Sequence, residues 1–192
     1  MISSNDRSGW FGASDTDKVV SKNRSTKTWR SWWEVKMGLH DSDFTGSIYT
    51  AAGNRYEHHI LRSISENIET DGQIMIDKLL LRVNYDGWLD GTIYEVKTHR
   101  SDKEFEVSNT YWRQAQVEMY AYKQTHDDFK KLYIVSYPLY PDEYYTDQED
   151  IEIDISRIKF QEVKYDRSWI KSEYLPKLKE LAKYLKKGKI PE

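Results

Sequence analysis

The chain has 192 residues, enough for one domain with a substantial core, and 14% of them are aromatic, including seven Trp and fifteen Tyr. It has no cysteine, which excludes disulfides, thiolate zinc and cysteine-bound iron–sulfur clusters, so any metal must be held by oxygen or histidine. The formal charge of −3 lacks the footprint of a DNA-coating protein. It is nevertheless uneven: Lys18, Lys22, Arg24, Lys27, Arg30 and Lys36 crowd one early segment, and seven lysines from Lys171 to Lys189 crowd the end. No apolar run approaches a membrane span and the start lacks a signal pattern, so a soluble cytoplasmic protein is expected, without membrane association.

In chain order, a first helix is expected from Ser14, capped through Ser14 and Asp17, and a second through TKTWRSWWEVKMG. A longer helix should run over 47–66, where Ile48, Ala52, Tyr56, His59, Ile60 and Ile64 keep roughly helical spacing. Residues 73–84 read as a strand or hairpin arm, YDGWLDG as a turn and TIYEVKTH as the next strand. A helix over 109–124, a strand at KLYIVSYPL, a weaker one at IKFQEVKY and an amphipathic helix over 169–187 complete the order. Pro176 must mark the first turn of that last helix or a kink in it. The succession implies an α/β domain with a central mixed β-sheet flanked by helices, one domain over 1–192.

The chemistry concentrates in NYDGWLDGTIYEVKTH. Strand alternation puts Glu95 and Lys97 on one side and Val96 on the other, with Asp86 close by across the hairpin. Two carboxylates and an ammonium converging on one point suit phosphodiester hydrolysis: hard oxygens hold Mg²⁺, the ion activates water, and the lysine orients that water and neutralises phosphate. Asp90 is an alternative to Asp86, with a shifted hairpin register.

Three further segments, GNRYEHHIL, YWRQAQVEMYAY and RSGWFGASD, stand in the right order around this hairpin. With it they resemble the PD-(D/E)xK nuclease superfamily, and within it the lambda exonuclease and YqaJ-like viral recombination exonucleases. The resemblance runs from about Arg7 to Pro191 and implies a restriction-endonuclease-like core. It makes Glu57, in its Gly-x-x-x-Glu helix, an additional metal ligand beside Asp86 and Glu95, and places Val96 among the metal-binding positions. It gives Gln114 and Gln116 a role at the catalytic lysine or the scissile phosphate. Arg7 and Ser14 match a pocket for a 5′-terminal phosphate, with Arg100 and Lys103 as further phosphate contacts. His58 and His59 fall outside the family pattern and read as packing or DNA-side residues; Trp10 or Trp33 could stack on strand ends.

The resemblance implies one or two Mg²⁺ per site, replaceable by Mn²⁺, and 5′-to-3′ resection of double-stranded DNA ends. It further implies a single-strand annealing partner and a ring trimer. An endonuclease with the same active site, and a nuclease-like fold that only binds DNA or protein, remain the alternatives. The lack of cysteine sets the chain apart from the iron–sulfur relatives, and Asn84-Tyr85 replaces the Pro or Ser usual ahead of the Asp-Gly.

Overall fold

A computed structural model describes residues 8–40, 46–146 and 151–191. Among them a five-stranded mixed sheet runs in the order β1 (Glu69–Ile76), β2 (Leu81–Leu89), β3 (Thr92–Arg100), β4 (Lys131–Leu139) and β5 (Lys159–Val163). β3 and β4 are parallel, bridged by the helix α4 (Asn109–Thr125), and the other pairs are antiparallel. The remaining helices are α1 (Thr16–Val20), α2 (Lys27–Lys36), α3 (Ile48–Ile64), α5 (Arg167–Trp169) and α6 (Leu175–Lys186). No helix among the described residues is long and apolar enough to cross a membrane.

The helices cover the sheet from two sides. Leu81, Val83, Tyr85, Ile93, Leu132 and Ile134 share one buried cluster with α4, with Trp29 and Trp33 of α2, and with Leu178 and Leu181 of α6. Val96, Val135 and Tyr137 face the other way, against Ala52, Tyr56 and Ile60 of α3. The longer helices begin where a hydroxyl satisfies free backbone donors: Thr26 accepts from Trp29 N at 3.2 Å, Ser47 from Thr50 N and Ser108 from Tyr111 N.

Three local expectations change. Ser14 is not a cap: it lies inside a 3-10 turn (Ala13–Asp15) preceding α1, and the Gly12 N–H donates to Asp15 Oδ2 at 2.7 Å. Asp15 can hold that position because the buried Lys36 ammonium lies 2.6 Å away and Trp32 Nε1 donates to it at 2.8 Å. YDGWL is strand rather than turn; only Asp90 and Gly91 reverse the chain, both with left-handed backbone (φ 47° and 74°). The closing helix starts earlier than expected, at Arg167, and runs through a π-helical turn (Ile170–Tyr174) into α6; Pro176 follows that turn, where the wider turn accommodates a residue that cannot donate to the ladder.

Gly91 is required twice over. Its φ of 74° disfavours a side chain, and a Cβ there would lie 2.0 Å from the Asp128 carbonyl oxygen. Gly91→Ala should therefore lower unfolding free energy by about 2 kcal/mol or more, read as a reduced midpoint in urea denaturation.

Candidate active site at the strand fork

The β2–β3 ladder pairs Leu89 with Thr92, Trp88 with Ile93 and Gly87 with Tyr94, then stops. The next step would be Asp86 with Glu95. There the strands part, β2 staying with β1 and β3 with β4. The freed Val96 N–H donates instead to Asp86 Oδ2 at 2.7 Å, so a side chain replaces the missing ladder bond. β1 is irregular at the matching point: Asp71, between the Thr70–Gly87 and Gly72–Tyr85 pairs, has φ 57°. Side-chain alternation is interrupted here too, since Tyr85 and Trp88 pack together with ring centroids 5.3 Å apart.

Side chains from both layers meet at this fork. Glu95 is buried and accepts from the Lys97 ammonium and from Gln114 Nε2, the latter at 2.6 Å. Gln114 also donates to Glu118 Oε1 at 2.8 Å, so one amide of α4 bridges two carboxylates. The Lys97 ammonium lies 5.3 Å from the Tyr111 ring centroid. From the opposite layer, Gly53 lets α3 approach β3 closely: a Cβ there would be 3.2 Å from Thr98 Oγ1. One turn later Glu57 comes within electrostatic reach of Glu95, Lys97 and Asp71.

Protonation reflects the crowding. Burial, reinforced by the charge of Glu95, pushes Glu57 up to about 7. Burial and then Glu95 and Glu57 raise Asp86 well above the ordinary carboxylate range; burial and Glu95 do the same to Glu118. Burial disfavours the Lys97 charge, but Glu95 and Asp86 more than offset it and hold the ammonium above its ordinary range. Glu118 Oε2 is buried with no hydrogen-bond partner among the described residues.

A cavity of about 180 Å³ opens on the α4 side, lined by Ser14, Arg82, Asp86, Glu95, Gln114 and Glu118 among others, with Trp10 at its wall. On the α3 side, Glu57, His58 and Asp71 bring ligand atoms within 4.8 Å of one another, His58 Nε2 lying 3.3 Å from Asp71 and 4.0 Å from Glu57. Asp86 and Glu95 stand outside that group, Glu95 being drawn to Lys97 and Gln114.

The structure thus gathers Asp86, Glu95, Lys97, Gln114 and Glu57, and places Ser14 in the same cavity as the first two. Val96 contributes through its main chain while its side chain packs under α3. Asp90 is exposed in the hairpin turn, whereas Asp86 is at the fork. Gln116 is not brought to the cluster: its amide donates to the Lys164 carbonyl at 2.9 Å and accepts from Asp166 N at 2.6 Å, since residues two apart on a helix diverge. Arg100 pairs with Asp102 at the exposed end of β3, beside a second cavity lined by Tyr49 and Tyr144, and Lys103 follows in the same turn. Trp33 is fully buried in the core, so its ring has no free face on which a base could stack. Arg7 lies outside the described residues.

Glu118 and Asp71 join the site without any expectation from the sequence, and His58, expected to be a packing or DNA-side residue, stands instead beside Glu57 and Asp71. Glu118 carried a signal: it lies four residues after Gln114, on the same helical face, inside the otherwise buried run AQVEMYAY. Asp71 carried none, because Thr-Asp-Gly reads as an ordinary turn.

These elements define a restriction-endonuclease-like α/β fold. No protein-family model matches the sequence, and a search of the curated proteins finds no match. Solved structures do match. LHK-Exo in complex with dAMP shares 18% identity at a TM-score of 0.65, over 93% of this chain and 89% of its own. The alkaline exonuclease LHK-Exo from Laribacter hongkongensis gives 19% and 0.60, over 93% and 92%. A phage-related exonuclease from Haemophilus somnus 129PT gives 16% and 0.65, over 93% and 92%. The fold is that of the exonuclease group whose motifs the sequence resembles.

Two outcomes follow from this geometry. Gln116→Ala should destabilise by about 1–3 kcal/mol through loss of both loop contacts, with the chemistry of the folded protein retained, whereas Gln114→Ala should act on the chemistry; denaturation curves beside activity per folded molecule separate the two. The pH dependence also has a definite sign. Glu118 has a folded pKa above its ordinary 4.5, so its contribution to stability is complete below 4.5 and is lost as pH rises toward the folded value. Without divalent cations, Glu118→Gln should gain stability relative to the parent as pH rises from 4.5 to 9, measured by thermal melts.

Proposed function

We propose that the chain is a Mg²⁺-dependent deoxyribonuclease that resects double-stranded DNA from 5′ ends, feeding recombination by single-strand annealing. The observation that carries this reading is the fork itself, where Asp86, Glu95, Glu57 and Glu118 crowd around one ammonium, Lys97. One ammonium does not balance four carboxylates, of which Glu95 and Glu118 are buried and Asp86 and Glu57 half-buried. A divalent cation fits the surplus, the hard-oxygen donor set and the unpartnered Glu118 oxygen.

In this reading Asp86, Glu95 and Glu57 hold the ion, with Val96 offering its main-chain carbonyl. Bound there, Mg²⁺ would lower the pKa of a water and stabilise charge on the phosphate, and Mn²⁺ would substitute. The chain's own groups do the rest. Lys97, held charged by Glu95, neutralises phosphate and orients the attacking water. Gln114 fixes Glu95 and Glu118 so that their oxygens converge without reorganisation. Ser14, on the same cavity wall, receives the 5′-terminal phosphate together with Arg7. Arg100 and Lys103 serve as further phosphate contacts. The same resemblance implies a single-strand annealing partner and a ring trimer.

The test is a time course on linear duplex with and without a 5′-phosphate, beside a closed circular plasmid. Cleavage should need Mg²⁺ or Mn²⁺ and leave the circle intact. Glu95→Gln or Lys97→Ala should reduce it by about 10²-fold or more without loss of fold, and Arg7→Ala should reduce the preference for 5′-phosphorylated ends. Full activity of Glu95→Gln would overturn the reading, and linearisation of the circle would replace the exonuclease with an endonuclease.

A further inference from the structure

The two lysine-rich segments at opposite ends of the sequence are joined in space. Lys177 Nζ donates to the Val20 carbonyl at 3.1 Å, Arg24 forms a double hydrogen bond to Glu180 at 2.7 and 2.9 Å, and Trp33 Nε1 donates to the Lys189 carbonyl at 3.2 Å. α1, α2 and α6 thereby form one layer. Segments 16–38 and 167–191 carry fourteen of the 29 lysines and arginines but only four of the 32 acids. All four acids are engaged: Asp17 with Arg113, Glu34 with His40, Glu173 with Lys177 and Glu180 with Arg24. Lys22, Lys27, Lys179, Lys183, Lys186 and Lys187 are exposed, with no acidic partner among the described residues. In a chain of net charge −3, this is a segregated positive surface.

Its arrangement fits a polyanion of regular spacing. Lys179, Lys183 and Lys186 recur at helical intervals opposite the buried Leu178 and Leu181, so they line the solvent side of α6. The helix is about 18 Å long, matching roughly five phosphates of one strand. The layer is also continuous with the cavity at the fork, because the turn bearing Ser14 leads directly into α1.

We infer that the α1–α2–α6 layer binds the phosphate backbone of duplex DNA outside the active site and tracks it while the end occupies the fork. The inference rests on the nuclease reading only for the identity of the polyanion. Binding of a 30-base-pair duplex, measured by fluorescence anisotropy in EDTA from 50 to 250 mM salt, needs no cleavage. Combined Lys179→Ala, Lys183→Ala, Lys186→Ala and Lys187→Ala should flatten the slope of log affinity against log salt by about 3 and weaken binding about tenfold or more at 150 mM. Changing the same four to Glu should weaken it further. None of the four lysines lines the cavity at the fork, so cleavage of the same duplex at 50 mM salt and saturating protein should stay near the parental rate. Glu95→Gln should keep the parental slope while losing cleavage. A slope unchanged in both lysine variants would overturn the inference and leave the nuclease reading standing. A lysine-dependent slope in a chain that never cleaves would uphold it while sinking that reading.

Discussion

Everything distinctive in this molecule depends on a break in one ladder. Between Gly87–Tyr94 and the pair that would follow, β2 and β3 stop exchanging hydrogen bonds, and a backbone donor is left inside the protein. An unpaired buried N–H is costly, and Asp86 removes the cost by accepting from Val96. That settles the position of one carboxylate by a structural need. It also opens the sheet, so that α3 on one face and α4 on the other can send side chains to the same place. Glu57 and Gln114 belong to opposite layers, and a continuous sheet would keep them apart.

The electrostatics follow from that opening. Carboxylates that would repel one another in water are held together by the packing of two helices on a strand pair. Folding supplies one ammonium and one amide against four acids. The amide is spent bridging Glu95 and Glu118, and the ammonium is drawn to Glu95, which leaves Asp86, Glu57 and one oxygen of Glu118 undercompensated. The result is a site whose protonation is displaced upward and which fits a doubly charged cation. Perturbed carboxylates gathered in a cleft are the usual mark of a functional centre.

Charge is partitioned over the rest of the surface in the same spirit. The acidic centre lies within a chain that concentrates fourteen of its 29 lysines and arginines, but only four of its 32 acids, in the layer of α1, α2 and α6. Few acids occur in that layer, and those present are used to tie elements together, as Glu180 does with Arg24. Net charge conceals this division, because it averages over surfaces that face different parts of a substrate.

Much of this was legible in the sequence. Helical spacing marked α3, and strand alternation put Glu95 and Lys97 on one side of β3 with Val96 on the other. Local rules suffice for such features, since they depend on residues within a few positions. The remainder required the tertiary structure. Gln114 and Gln116 look equivalent in a motif, yet only contact with Glu95 on one side and with the β5–α5 loop on the other separates them. The sequence favoured Asp86 and kept Asp90 as the alternative; only the ladder shows that the strands part at Asp86 while Asp90 sits in the turn. Asp71 comes to Glu57 and His58 of α3 because β1 is irregular opposite Asp86, and the two lysine runs became one surface because α6 packs on α1. Each depends on residues far apart in the chain, whose proximity is decided by how layers pack, and no local pattern encodes that distance.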